Sequence, residues 1–171
     1  MTKLSIVLLQ IDVSFGNPKK NRENIRRWFE RAELKPNELV LLPELWDTGY
    51  DLTRLSEIAD RDGETAQLFL SQLTKEYQVY ISGGSIARQS DDKFFNTTYI
   101  VTPTGSIQAS YDKVHLFRLM QEEKFLHAGS QLVQTTILGV PLSPFICYDL
   151  RFPEFLRKSA NQKTELFLFS A

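Results

Sequence analysis

The sequence predicts an α/β protein with a mixed sheet, because strand-like and helix-like patterns alternate at both ends of the chain and a hairpin lies between them. The hairpin signal is the segment 102–105, Thr-Pro-Thr-Gly, between two apolar runs. A length of 171 residues suits one domain with a sizeable core, and we assign residues 1–171 to that domain.

The first half of the chain contains two strands and two helices. Residues 3–10 alternate and then run apolar, which predicts a buried strand. Asn-Pro at 17–18 is a helix start, and apolar residues recur at helical spacing, so a helix is predicted over 18–34. A second strand is predicted over 38–42, a loop over 44–55 and an amphipathic helix over 66–77.

The second half contains more strands. A strand over 79–86 includes Gly83-Gly84, and strands over 94–101 and 107–111 form the hairpin. Residues 113–129 are mostly polar and predict irregular structure. The other predicted elements are strands over 134–138, 140–146 and 166–170 and a helix over 153–160.

Composition and charge argue against several function classes. The net charge is −1, so the sequence has no electrostatic signature of nucleic-acid or anionic-membrane binding. Its apolar runs are shorter than the ~20 residues of a membrane span. One cysteine cannot form an internal disulfide, which predicts a reducing, cytoplasmic location.

That cysteine, Cys147, is the most informative residue. The apolar run 144–146 precedes it and a polar stretch typical of a helix start follows, so we expect a sharp turn that presents the thiol at a strand end. A helix N-terminus and a nearby cation would lower the pKa of the thiol and favour the nucleophilic thiolate. The alternative is a small buried apolar residue, the usual role of a lone cysteine.

Two other ionisable residues also follow apolar strands. Glu44 comes after 39–43, and Lys113 comes after 107–112. Side chains at the ends of sheet strands are where α/β proteins build active sites. A carboxylate there can act as a general base and an ammonium can stabilise an oxyanion. The alternative for each is a solvated surface charge.

Metal and phosphate sites have weaker support. His115, His127 and Cys147 have no zinc-ligand spacing, and the two histidines are interpreted as structural or surface groups. Residues 82–85, Ser-Gly-Gly-Ser, lack the Lys-Ser/Thr of a phosphate loop, and we expect them to allow close strand packing.

The ionisable residues occur in motifs that resemble the nitrilase, or carbon-nitrogen hydrolase, superfamily. The motifs are, in chain order, Leu-Pro-Glu at 42–44 with Gly49-Tyr50, residues 111–117, and residues 147–154. The resemblance implies a four-layer α-β-β-α sandwich without cofactors or a catalytic metal. It also implies that Glu44 is the general base, Lys113 the oxyanion stabiliser and Cys147 the nucleophile.

Within the superfamily, the chain resembles the Nit-type omega-amidases. Two motifs carry this resemblance: His-Leu-Phe after the lysine and Tyr-Asp-x-Arg-Phe-Pro after the cysteine. In that branch the arginine four residues after the cysteine binds the substrate carboxylate, and here that arginine is Arg151. The structural alternative for Arg151 is an ion pair with Asp149 or Glu154. The resemblance further implies a glutamate that supports the lysine; Glu122 is the candidate, and its neighbour Glu123 is the alternative. The backbone N–H of Tyr148 is a candidate second oxyanion donor.

The function that follows is hydrolysis of a small carboxylate-bearing amide, such as the omega-amide of a 2-oxo dicarboxylic acid, through a cysteine thioester. Alternatives are nitrile or N-carbamoyl hydrolysis, acyl transfer, or an inactive truncated fragment. Relative to the family pattern, the chain is expected to be incomplete at its C-terminus. We expect no nucleic-acid or membrane partner, and a homodimer or higher homo-oligomer for a full-length form.

Overall fold

Within residues 4–171, which the computed structural model describes, the fold is built on two β-sheets. The strands of the larger sheet are β1 (Ile6–Leu8), β2 (Leu39–Leu41), β3 (Asp60–Arg61), β4 (Tyr80–Ser82), β5 (Ile86–Ser90), β6 (Lys93–Val101) and β7 (Ile107–Asp112). Their order is β1-β2-β4-β6-β5-β3, and β7 also pairs with β6. Parallel pairing joins β1, β2 and β4, and antiparallel pairing joins β6 to β4, β5 and β7.

The smaller sheet has β9 at its centre, with β8 antiparallel on one side and β10 parallel on the other. Its strands are β8 (Thr135–Ile137), β9 (Val140–Ile146) and β10 (Leu166–Ser170). The helices are α1 (Pro18–Arg31), α2 (Leu55–Ile58), α3 (Glu64–Tyr77) and α4 (Pro153–Asn161).

Helix α1 forms where the sequence indicates a cap and an apolar face. The side chain of Asn17 accepts a 3.1 Å hydrogen bond from the N–H of Lys20, and Pro18 occupies the first turn. Ile25 and Phe29, four residues apart, are fully buried. Each such side chain contributes about 1.5–3 kcal/mol through removal from water.

Strand periodicity divides the core into layers. In β2, Val40 joins the cluster that contains the apolar faces of α1 and α3, whereas Leu39 and Leu41 join a cluster with Leu142 and Leu168 of the smaller sheet. On the far side, Phe145 of β9 packs with residues of β10 and α4; these are Phe155, Leu156, Phe167 and Phe169. The layers are therefore helix, sheet, sheet and helix, which confirms the predicted α-β-β-α sandwich.

Several predicted boundaries are wrong. The helix over 18–34 ends at Arg31, because the backbone is extended at Ala32. The segment predicted as a loop over 44–55 contains a 3-10 turn and leads into α2, a helix that was not predicted. The two-residue strand β3 was also missed. The strand over 3–10 is shorter, and Lys3 lies outside the described residues.

The strand predicted over 79–86 is in fact two strands, β4 and β5, separated by Gly83-Gly84. Gly84 has a φ of +61°, and a Cβ there would lie 2.2 Å from the carbonyl oxygen of Pro43. The glycine pair thus lets the segment before Glu44 approach the sheet closely, as the sequence predicts.

None of the helices in the described part of the chain is long and apolar enough to cross a bilayer.

Candidate active site

Glu44 projects from a buried turn that follows β2. Leu45 has a φ of +44°, so the chain reverses directly after the glutamate. The turn is fixed to the start of β5, because the Leu45 N–H donates to Ser85 Oγ at 2.9 Å and the Trp46 N–H donates to the Ser85 carbonyl at 3.0 Å. With its backbone groups paired in this way, the turn holds Glu44 in one place.

Lys113 follows β7, and its side chain is completely buried. Its Nζ donates to Glu44 Oε1 at 2.8 Å and to Glu122 Oε1 at 2.9 Å. The structure thus brings together residues that are 69 positions apart in the sequence. A buried ammonium is tolerated here because two carboxylates surround it.

Glu122, and not Glu123, contacts the lysine. Glu122 is fully buried at the start of a 3-10 turn, while Glu123 is exposed. The second carboxylate oxygen of Glu122 accepts a 2.8 Å hydrogen bond from the Phe117 N–H. The alternative that the sequence left open is therefore resolved in favour of Glu122 as the residue beside Lys113.

The site places two carboxylates around one ammonium, and these charges shift the pKa values of the side chains beside them. Burial alone would lower the pKa of Lys113, but Glu44 and Glu122 outweigh it and raise the pKa, so the lysine stays charged. Burial and the Glu44 charge raise the pKa of Tyr50, which keeps its proton and donates to Glu44 Oε2 at 2.6 Å. Asn96 Nδ2 donates to Glu44 Oε1 at 2.9 Å.

Cys147 lies at the sharp turn predicted from the sequence. It directly follows β9, has a φ of +41° and begins a 3-10 turn over Cys147–Arg151. A positive φ at a non-glycine residue is strained, and such strain is common at functional sites.

The thiol of Cys147 is half-buried and is not ionised in advance. Burial first, and then the Glu44 charge, raise its pKa to about 11, although Lys113 opposes the shift. The expectation of a lowered pKa is therefore wrong, because burial and the carboxylate outweigh the nearby cation. The thiol needs a base to remove its proton, and Glu44 is the carboxylate whose charge acts most strongly on it.

Asp149, which the sequence offered only as an alternative ion-pair partner of Arg151, connects the turn of Cys147 to the strand before Lys113. Asp149 is completely buried and accepts hydrogen bonds from the Tyr111 hydroxyl at 2.7 Å and from the Ile146 N–H at 3.0 Å. It also contacts His115, through the backbone N–H at 3.1 Å and the ring Nδ1 at 2.7 Å. The only signal in the sequence was a carboxylate two positions after the cysteine.

The histidines have the structural or surface roles predicted for them. The ring of His115 stacks on Phe152, with centroids 3.6 Å apart, and His127 is exposed. Among residues 4–171, no group of three or more histidine, cysteine or acidic side chains is arranged to hold a metal ion.

A cavity of about 630 Å³ opens beside the cysteine. Cys147, Tyr148 and Arg151 line it together with apolar residues, and this volume suits a small organic ligand. Arg151 is exposed and forms no ion pair with any residue between 4 and 171, so the expected alternative, a pair with Asp149 or Glu154, is absent there. Its guanidinium is available to an anionic ligand.

Comparison with known sequences identifies one family. The carbon-nitrogen hydrolase family model matches residues 5–171. The 2-oxoglutaramate amidase of Bacillus subtilis is 41% identical over 169 residues, which cover 99% of this chain and 65% of that protein. A chloroplastic omega-amidase of Arabidopsis thaliana is 31% identical, over 99% of this chain and 49% of the relative. The chain therefore spans less than two thirds of the length of these relatives.

Solved structures show the same fold. A CN-hydrolase superfamily protein from Xanthomonas campestris, with an arsenic adduct in its active site, superposes with a TM-score of 0.81 at 31% identity. The match covers 91% of this chain and 57% of that one. A nitrilase-superfamily amidase from Nesterenkonia AN1 has a TM-score of 0.84 at 23% identity, over 98% and 65% of the two chains, and this likeness concerns the fold alone.

Proposed function

The chain belongs to the carbon-nitrogen hydrolase family, and from that premise we propose that it hydrolyses a small carboxylate-bearing amide to an acid and ammonia. The observation that carries the proposal is the buried contact of Lys113 with Glu44 and Glu122, next to a thiol on a strained turn. These groups supply a base, a fixed cation and a nucleophile, which amide hydrolysis through a thioester requires.

In the proposed mechanism, Glu44 removes the proton of Cys147 as the sulfur attacks the amide carbonyl. Burial and the Glu44 charge raise the pKa of the thiol to about 11, so the attack needs Glu44 as a base. Lys113 and the backbone N–H of Tyr148 stabilise the oxyanion of the tetrahedral intermediate. The C–N bond then breaks, Glu44 gives its proton to the departing nitrogen, and ammonia and a thioester form.

Water completes the reaction. Glu44 removes a proton from a water molecule, which attacks the thioester. The C–S bond then breaks, Glu44 returns the proton to the departing sulfur, and the carboxylic acid and the Cys147 thiol form. Glu122 holds Lys113 in place throughout, since it contacts Nζ at 2.9 Å. Tyr50 donates to Glu44 and fixes the orientation of the carboxylate.

We propose the omega-amide of a 2-oxo dicarboxylic acid as the substrate class. Two observations support it: Arg151, an exposed residue, lines the cavity beside Cys147, and relatives with 41% and 31% identity are a 2-oxoglutaramate amidase and an omega-amidase. A guanidinium binds a carboxylate through two parallel hydrogen bonds.

The remaining sequence-based expectations stay proposals. They are the absence of a cofactor, a reducing cytoplasmic location, and a homodimer or higher homo-oligomer for a full-length form.

The test is ammonia release from a panel of an omega-amide of a 2-oxo acid, a neutral aliphatic amide, a nitrile and an N-carbamoyl amino acid. We expect the omega-amide to be the best substrate, and Cys147→Ala to release no ammonia while keeping the circular dichroism spectrum of the unmodified protein. Turnover by a folded Cys147→Ala variant would refute the mechanism. Preference for the nitrile or the N-carbamoyl compound would refute the substrate class.

A further inference from the structure

We propose that Asp47 is a positioning residue for Glu44: its buried carboxyl fastens the turn that carries Glu44 to strand β5. Held this way, the Glu44 side chain keeps its place against Lys113 and Cys147. The inference rests on the proposed function, because it assigns Asp47 a part in the same reaction.

The contacts of Asp47 connect the turn to two other elements. Its Oδ1 accepts hydrogen bonds from the Thr48 N–H at 2.8 Å and from the Ala87 N–H of β5 at 3.3 Å. Its backbone carbonyl accepts a 2.7 Å hydrogen bond from Asn21 Nδ2 of α1. Asp47 is only 2% exposed, so water cannot readily replace these bonds.

Asn21 extends the network on the helix side. It is 1% exposed, and its side chain pairs with Ser14 in both directions, accepting from the N–H and donating to the carbonyl, each at 2.8 Å. The turn is thus held between α1 and β5.

The position of Asp47 in the turn links it to two residues of the site. Asp47 is three positions after Glu44 and three before Tyr50, and the side chains of Glu44 and Tyr50 contact each other. A shift of the turn at Asp47 would therefore move both side chains, and displacements of about 1 Å at a reacting group lower rates about 100-fold.

The surroundings of the Asp47 carboxyl change its protonation. Burial raises the pKa of Asp47 to about 7; the Asp60 carboxylate adds to the shift and the N–H bonds from Thr48 and Ala87 oppose it. No cation forms an ion pair with it among residues 4–171. The ionisable groups that line the adjoining polar cleft are Arg22 of α1, Glu57 of α2, Asp60 and Arg61 of β3, and Glu64 of α3.

The raised pKa fixes the sign of the pH effect. Between the unfolded value of 3.8 and about 7, the folded protein holds a proton on Asp47 that the unfolded chain has lost. The contribution of Asp47 to stability therefore falls as the pH rises through this range.

The experiment compares Asp47→Ala, Asp47→Asn and a control, Glu64→Gln, which alters an exposed carboxylate on the same cleft. One readout is kcat and KM for ammonia release. The other is the pH midpoint for alkylation of Cys147 by iodoacetamide, which reports on that residue alone because it is the only cysteine of the chain.

We expect Asp47→Ala to lower kcat at least about tenfold with little change in KM, and to lower the alkylation midpoint, because the Glu44 charge that raises the thiol pKa is no longer held nearby. Asp47→Asn should keep both values near those of the unmodified protein, since the amide oxygen can accept the same two N–H bonds. Glu64→Gln should change neither value.

A folded Asp47→Ala variant with unchanged kcat and midpoint would overturn the proposal, as would an Asp47→Asn variant as impaired as Asp47→Ala. If Asp47→Ala does not fold, NMR provides the test. In the unmodified protein, the chemical shifts of the Thr48 and Ala87 amide protons should change together near pH 7, and in Asp47→Asn they should not. Independent changes of the two chemical shifts would overturn the proposal. If the unmodified protein releases no ammonia, the proposed function fails, but the alkylation midpoints still test Asp47.

Discussion

The hydroxyl of Tyr111 donates a 2.7 Å hydrogen bond to the carboxylate of Asp149 and so joins the strand before Lys113 to the turn that begins with Cys147. Tyr111 lies in β7 of the larger sheet, and Asp149 lies in the 3-10 turn that follows β9 of the smaller sheet. Both side chains are buried. The relative placement of the proposed oxyanion stabiliser and nucleophile therefore depends on a contact between the sheets.

Replacing Asp149 with alanine should destabilise the protein by about 3 kcal/mol, because the Tyr111 hydroxyl and the Ile146 N–H would lose their buried acceptor. The measurement is the urea concentration at the midpoint of unfolding, compared between proteins whose unfolding free energies have the same dependence on urea concentration. Asp92→Ala, in an exposed turn, is the control and should change stability by less than about 0.5 kcal/mol. Equal midpoints for the two variants would show that the Asp149 network contributes no net stability.

The neighbouring pair Glu122 and Glu123 provides a matched test of the lysine environment. Glu122→Gln removes a charge 2.9 Å from Lys113 Nζ, so kcat should fall at least about tenfold. Glu123→Gln changes an exposed side chain and should stay within about twofold of the unmodified protein. Steady-state ammonia release measures both. If the Glu123 variant were the impaired one, the assignment from the structure would be wrong.

The alternation of strands and helices could be predicted from the sequence because strand and helix periods are local, whereas the four layers of the sandwich were implied only by the family resemblance. The strand over 166–170 is correct to the residue, since its apolar run has clear ends. Glu122 was the predicted supporting residue, but the sequence left Glu123 open as an alternative, because the choice depends on the phase of a 3-10 turn that polar residues do not reveal. The division of β4 from β5 was missed because it depends on how closely the segment before Glu44 approaches Gly84.

The composition of the site was predictable only through family resemblance. Glu44 and Lys113 are far apart in the sequence, and no local pattern brings them to 2.8 Å. The buried positions of Asn96 and Asp149 could not be predicted, because a single polar residue near apolar ones has no periodic signal. Their roles are visible only in the buried hydrogen bonds that they make.

Glu44→Gln should change turnover and thiol reactivity in opposite directions. Loss of the base should lower kcat at least about 100-fold. Removing the negative charge should lower the pKa of Cys147 below about 11, since burial and then Glu44 raise it, and alkylation at neutral pH should become faster. The control is Glu33→Gln, an exposed residue. An unchanged or higher alkylation midpoint would contradict the placement of Glu44 near the thiol.

Arg151→Lys should separate substrates by their charge. The guanidinium of Arg151 lies on the cavity beside Cys147 and is free of ion pairs within residues 4–171. Lysine keeps the positive charge but loses the two-pronged contact, so kcat/KM for an omega-amide of a 2-oxo acid should fall about tenfold or more. A neutral aliphatic amide of similar size should be affected less than about twofold.

The control is Arg157→Lys, an equivalent exchange at an exposed position of α4, which should leave kcat/KM unchanged for both amides. Equal losses on the charged and neutral amides would mean that Arg151 supports the turn rather than the substrate, and the carboxylate-binding role would then have to be given up.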